Sequence, residues 1–374
     1  MTRSILCAAL FVAAFVPASP AQEAEETPEP RIEPALAPAL PAEPVESAPA
    51  AAKSLVAYAL LPASVEGGVI REGMVGRMVD AAVMKVAGKP DIASAWRSVV
   101  HPKDRVGIKV STTGAPISST HAAVVSAVAA GLVAAGVEAK NILIWDRVAR
   151  TVELGGYNAL ARKYRVTSTE EAGGYDPKAK IVAAMIGKLI IGDLLFNEEK
   201  GDNMSSTSHL SSVLSEVDKV IHVPALADSI YSGVQGALSG MVLDNLDNWR
   251  RLARTPHHGD PYLPELYADP RLGGKVVLTI LDALRPQYAG GPFPGAEFSV
   301  NYGAIFASRD PVALDATGMR LLDDFRKEAK LDPLSEKTKW LESAEVLGVG
   351  RAADAKIELV RTGLEGEVRM RKTP

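Results

Sequence analysis

From residue 55 onward the chain alternates short apolar runs with longer stretches in which apolar residues recur every three or four positions. The short runs fit buried strands, and the longer period fits helices packed on them. The pattern predicts strands at 55–61, 106–110, 141–145, 219–223, 276–281 and 304–307, with an edge strand at 356–360. It predicts helices at 74–87, after Thr120, and over most of 233–252. Thr120 reads as an N-cap, Val124, Val128 and Leu132 as one helix face, and Gly136 as the C-terminal stop. Strand, loop, helix and strand over about 40 residues make a βαβ unit, which implies a parallel pair and a right-handed crossover. In 150–216 the pattern is weaker: Leu189-Ile190-Ile191 reads as a short strand and 197–208 as a polar loop. The expected fold class is α/β, a mainly parallel sheet flanked by helices and divided into two lobes.

Ligands of open α/β sheets bind at the carboxyl edge of the strands. The polar residues that end each run are therefore the first candidates for a site. The loop 111–120, with Ser111, Thr112 and Thr113 beside Lys109, offers hydroxyls and free N–H groups for a phosphate or carboxylate. It reads somewhat more readily as a capped helix entry and a polar loop. Asp146-Arg147 closes the next strand and suits substrate orientation, a metal-bound water or an ion pair that fixes the loop. Asp282 ends a third strand, and Gly290-Gly291 follow in a tight loop that lets backbone approach a ligand or simply turns. At 301–315 an apolar run ends in Ser308-Arg309-Asp310, and Pro311 opens a helix carrying Asp315. Asp310 is placed to cap that helix, and the junction gathers two carboxylates and an Arg.

The N-terminus changes the picture of the compartment. Arg3, the apolar run 5–16 and Ser19-Pro20-Ala21 have the order of a secretory signal, with cleavage expected after Ala21. Cys7 is the only cysteine and leaves with that segment, so the mature chain has no disulfide and no thiolate ligands for an iron–sulfur cluster. Residues 22–54 are rich in Pro, Ala and Glu. Seven Glu stand against Arg31 and Lys53, a net −5, and the segment lacks the apolar surface to offset its ordering entropy. It is expected to be a flexible linker. The whole chain carries −4, so 55–374 are close to neutral and lack the field that nucleic acid or membrane binding needs. No second apolar stretch in the mature chain is long enough to cross a bilayer. The phosphate-loop and dinucleotide fingerprints are absent, which disfavours ATP and NAD. All six histidines lie in the mature chain without an HExxH pair; His222 reads as a core residue and His121 as a first-turn helix residue.

Several phrases together resemble the domain-of-unknown-function 362 family: DRVGIKVSTTG at 104–114, NILIWDR at 141–147, KVIHVPAL at 219–226, HGDPYLPEL at 258–266, LTILDALRPQYAGGP at 278–292 and SRDPVALD at 308–315. The family has no settled activity. The resemblance adds His258, which matches a family position, as a metal ligand or general acid/base. Some relatives carry ferredoxin-like cysteine segments, and this chain has none. The family's layout is distantly similar to lactate racemases that use a nickel-pincer nucleotide. Many relatives read Val-Pro-x-Leu-Lys-Asp-His and then Leu-Lys-Asn. Here those positions are Val223 to Ser229 and then Leu238-Ser239-Gly240, so two lysines and a histidine are replaced by Ala227, Ser239 and Ser229.

These readings lead to an exported protein of unknown activity, periplasmic or extracellular, with a cleft for a small anionic or metal-bearing ligand. His258, Asp310 and Asp146 are the expected catalytic groups. Lys109, Ser111, Thr112, Thr113, Arg147, Asp282, Gly290 and Gly291 are the expected ligand contacts. The cofactor and the metal are not named by the sequence. Metal-assisted hydrolysis or isomerisation is one outcome. A non-catalytic binding protein on a degenerate enzyme scaffold is another, and a structural envelope protein a third.

Overall fold

Ten strands form one mixed sheet: β1 (Ser54–Leu60), β2 (Val106–Val110), β3 (Ile142–Asp146), β4 (Arg165–Ser168), β5 (Lys219–Val223), β6 (Ala225–Ser229), β7 (Gly233–Gln235), β8 (Val276–Gln287), β9 (Ala304–Ser308) and β10 (Ile357–Arg361). The computed structural model describes residues 52–188 and 204–364. Across the sheet the order is β10-β1-β9-β8-β5-β2-β3-β4, with β6 and β7 paired off this path. The run β8-β5-β2-β3-β4 is parallel throughout. Only β9 reverses the main path, antiparallel to both β8 and β1.

Strands buried on both faces explain the unbroken apolar runs that made them legible. Val106, Ile108, Ile142, Ile144, Ile221 and Val223 face one core, with helices α1 (Glu72–Ala87) and α2 (Ala122–Ala134). Leu143, Trp145 and Val220 face the other, with α3 (Ala237–Val242) and α4 (Pro311–Glu328). One sheet thus serves both cores, and residues from 51 onward group as one compact unit instead of two lobes.

Three local expectations are corrected. The N-cap of α2 is His121, because the Thr120 hydroxyl is engaged by Ser111 N (2.9 Å) and Val223 O (2.6 Å). The stretch 233–252 is not one continuous helix: it holds β7, the short α3 and two 3-10 turns, broken where Asn248 takes a left-handed φ of 42°. Residues 204–208, read as loop, belong to a strand, Met204–Ser211, that pairs antiparallel with Tyr175–Lys188. Gly136 does end its helix in a left-handed conformation, φ 103°. The expected signal 1–21, the linker up to residue 51, the short strand 189–191 and 197–203 of the expected loop lie outside the described residues.

Two helical glycines give opposite predictions. A methyl on Gly131 in α2 would stand 2.0 Å from Trp96 Nε1, in the core. Gly131→Ala is expected to destabilise by about 1–3 kcal/mol, as overpacking does. Gly76 in α1 meets nothing within 4 Å, so Gly76→Ala should stabilise by about 0.5–1 kcal/mol through helix propensity. Urea unfolding of both variants checks the pair.

Candidate functional site

The parallel register sets Lys109 beside Trp145 and His222, at the carboxyl end of three neighbouring strands. Alternation turns the Lys109 side chain toward α3, where it is wholly removed from water. Its Nζ donates to Asp146 Oδ1 (2.7 Å), Val110 O (2.7 Å) and Asp244 Oδ2 (3.2 Å). Burial pulls the ammonium toward neutrality, but the carboxylates of Asp146 and Asp244 outweigh it and raise its pKa. For Asp146, burial is outweighed by Lys109, with Thr112 N at 2.7 Å and Thr112 Oγ1 at 2.6 Å adding to it, so its carboxyl is held low. Asp244 goes the other way: burial pushes it up, and the neighbouring Asp146 charge adds to that against the pull of Lys109.

Beside this knot lies a pocket of ≈ 120 Å³, lined in part by Thr113, Arg147, Gln235, Asp244, Trp249 and Phe293. The Arg147 guanidinium rests 4.9 Å from the Trp249 ring centre and the Arg250 guanidinium 4.8 Å. Tyr231 meets the same indole edge-on at 4.9 Å. Arg147 Nε, Gln235 Oε1 and Trp249 Nε1 are buried without a hydrogen-bond partner. Native interiors seldom leave such groups unmet. A larger groove of ≈ 790 Å³ runs along α1, but none of its residues carries a buried unpartnered side-chain atom.

Gly240 also lines the pocket, and a side chain there would be tight. A methyl on it would stand 3.2 Å from His222 Cε1 and Nε2 and 3.4 Å from Ser111 Oγ. Neither ring nitrogen of His222 has a partner, and neither does Ser111 Oγ. Burial, and then the Lys109 charge, keep the imidazole pKa well below its usual range, so this histidine is neutral.

The structure gathers Lys109, Ser111, Thr112, Thr113, Asp146 and Arg147 in this region, and only Thr113 and Arg147 of them line the pocket. The other candidates stand elsewhere. Asp310 follows β9, whose reversed direction carries it to the opposite edge; its carboxylate caps α4 through Ala313 N (2.9 Å) and holds Arg351 N (2.9 Å). Asp282 is spent on His121, accepting from its backbone N and ring Nδ1 at 2.8 Å each, and on Leu284 N. Gly291 serves close packing, since a methyl there would lie 2.1 Å from Asp228 O, and its N–H donates to Asp228. Gly290 packs against Phe298. His258 sits in a left-handed turn at φ 50° and does not line the pocket. Asp315 is buried under α3, where it accepts from Ala237 N and Leu238 N; burial pushes its carboxyl up to about 7.

Sequence reasoning missed Asp244, Trp249, Arg250 and Gln235. The run Asp244-Asn245-Leu246-Asp247-Asn248-Trp249-Arg250-Arg251 carried the signal: a dense polar cluster around one of only four tryptophans.

The family model described as Domain of unknown function (DUF362) matches residues 106–320, more than half of the chain. The chain belongs to this family. No curated protein matches it. Eight solved chains do. One is the lactate racemase apoprotein from Thermoanaerobacterium thermosaccharolyticum, 10% identical, with a TM-score of 0.39 over 73% of this chain and 58% of that one. Another is a protein from Thermotoga maritima, 10% identical, with a TM-score of 0.37 over 71% of this chain and 61% of that one. The chain thus spans about six tenths of the length of these structures, and likeness at this level bears on no site residue. The DUF362 region of this chain includes Lys109, Asp146, Arg147, Asp244 and Trp249.

The three positions that the family resemblance singled out are uncharged, and both serine hydroxyls are bonded to backbone groups of the chain. Ser229 Oγ accepts from Tyr231 N and Ser232 N, Ser239 Oγ bonds Gly236 N and Val234 O, and Ala227 offers only a buried methyl. Among the described residues no three His, Cys, Asp or Glu side chains converge to hold a metal ion.

The ion knot predicts a large cost for breaking it. Lys109→Met would leave Asp146 and Asp244 facing each other across a dry interior. A loss of about 3–5 kcal/mol is expected in urea unfolding at neutral pH, as for other buried pairs stripped of one partner.

Proposed function

We propose that this DUF362 protein binds a small organic anion in the pocket walled by Arg147 and Trp249, and that it acts as a ligand-binding protein on an enzyme-like scaffold. The observation that carries this reading is the Arg147 guanidinium, held against an indole ring with its Nε buried and unanswered. A guanidinium so placed is preorganised for a carboxylate or phosphate oxygen. A second reading, an isomerising or hydrolytic enzyme, is favoured by Asp244, whose carboxyl burial pushes upward at the pocket wall where it could exchange a proton with a ligand.

Thermal unfolding in the presence of acetate, succinate or inorganic phosphate tests the first reading. At a hundredfold excess over Kd the bound anion should raise Tm by about 5 °C. Arg147→Ala should remove that rise while leaving the ligand-free Tm within a few degrees. An unchanged rise in the variant rejects the pocket.

Export is part of the same proposal. The order of charged, apolar and small residues before Gln22 supports secretion, with 22–54 as a linker ahead of the α/β domain. N-terminal sequencing of protein from the cell envelope or medium should begin at or near Gln22. Intact Met1 on cytoplasmic protein would contradict it. Among the described residues no helix is long and apolar enough to cross a membrane.

A further inference from the structure

Resting on that anion reading, we propose that the pocket is built for a zwitterion of the amino-acid kind, with its carboxylate on Arg147 and its ammonium on Asp244. Both side chains line the same ≈ 120 Å³ space, yet no ion pair joins them among the described residues. Each is held back from the other by a separate anchor. Arg147 rests on Trp249, and one oxygen of Asp244 is held by Lys109 at 3.2 Å. Lys109 and Asp146 form a buried pair of their own, so Asp244 brings a negative charge to the pocket wall. A simple anion drawn to Arg147 comes to rest beside that carboxylate. Like charges a few ångströms apart in a partly dry site repel strongly. An ammonium group one or two bonds from the ligand's own carboxylate removes the conflict, because it turns the repulsion into a second ion pair.

The remaining unpartnered groups agree with a short polar ligand. Trp249 Nε1 can donate to a second carboxylate oxygen, and Gln235 can accept from an N–H. The space is small, which favours a molecule of amino-acid size over a nucleotide.

Isothermal titration of the mature protein against matched pairs decides the matter: alanine and propionate, glutamate and glutarate, phenylalanine and 3-phenylpropionate. At least one amino acid should bind about tenfold or more tightly than its deaminated partner. In Asp244→Asn that ratio should fall to about 1, with the affinity for the plain acid kept or improved, because the repelling charge is gone. Circular dichroism establishes that the variant is folded. If it is not, the wild-type comparison alone decides between zwitterion and plain anion. Acids that bind as tightly as their amino acids overturn the zwitterion and leave the anion pocket standing. A preference for the amino acid that survives in Asp244→Asn overturns the role of that residue. If neither acids nor amino acids bind, the anion reading falls and this inference falls with it.

Discussion

The carboxyl edge of the sheet is organised around one buried ammonium. Lys109 has no contact with water, and an isolated charge so placed costs several kcal/mol. That cost is offset by three oxygens from three parts of the chain: the end of β3, the turn after α3, and the strand of Lys109 itself. The ion therefore ties the sheet to the segment that covers it. Because Asp146 is held low and fully bonded, Arg147, the next residue, starts from a rigid point and reaches into the pocket. Because Asp244 is held from the other side, α3 lies so close to the sheet that even a methyl on Gly240 would reach His222 and Ser111.

Much of this edge was legible in the sequence. Strands buried on both faces read as continuous apolar runs, and a lysine inside one of them stands out as a residue needing a partner. Its partner Asp146 was also in view, at the end of the next strand. Asp244 was not, because 233–252 carries an apolar pattern that fits a helix, and the breaks in it come from tertiary contacts. Gly236 is extended there, and a methyl on it would meet Asp315 Oδ1 at 2.1 Å. Strand direction was the other hidden quantity. The run Ala304–Ser308 reads the same whichever way it crosses the sheet, and the connection after β8 is long enough for an antiparallel return. Reversal sends Asp310 to the far edge, where its carboxylate ties the start of α4 to Arg351.

Two serines of the pocket wall are occupied by the chain itself. Ser229 and Ser239 both line the pocket, but their hydroxyls are turned inward to backbone groups two to five residues away. They stabilise the β6–β7 turn and the entry of α3, and they bring no charge to the pocket. The positive charge of the pocket comes instead from Arg147 and Arg250, which approach from different segments and share one indole. The Arg147 guanidinium, laid on the flat ring, can still present its edge to an acceptor.

This arrangement explains why opposite charges in so small a space do not simply neutralise each other. Arg147 and Asp244 attract each other, and the Arg147 charge pulls the Asp244 carboxyl down. Trp249 on one side and Lys109 on the other each supply a competing contact, and both of these anchors are buried. The separation is therefore set by the fold, which on the proposed reading is before any ligand arrives. Ordering cost is met by folding and does not have to be met again on binding. The same logic accounts for the uncharged histidine next to Gly240. A neutral His222 adds no further charge beside Lys109, so the balance between Arg147 and Asp244 is left undisturbed.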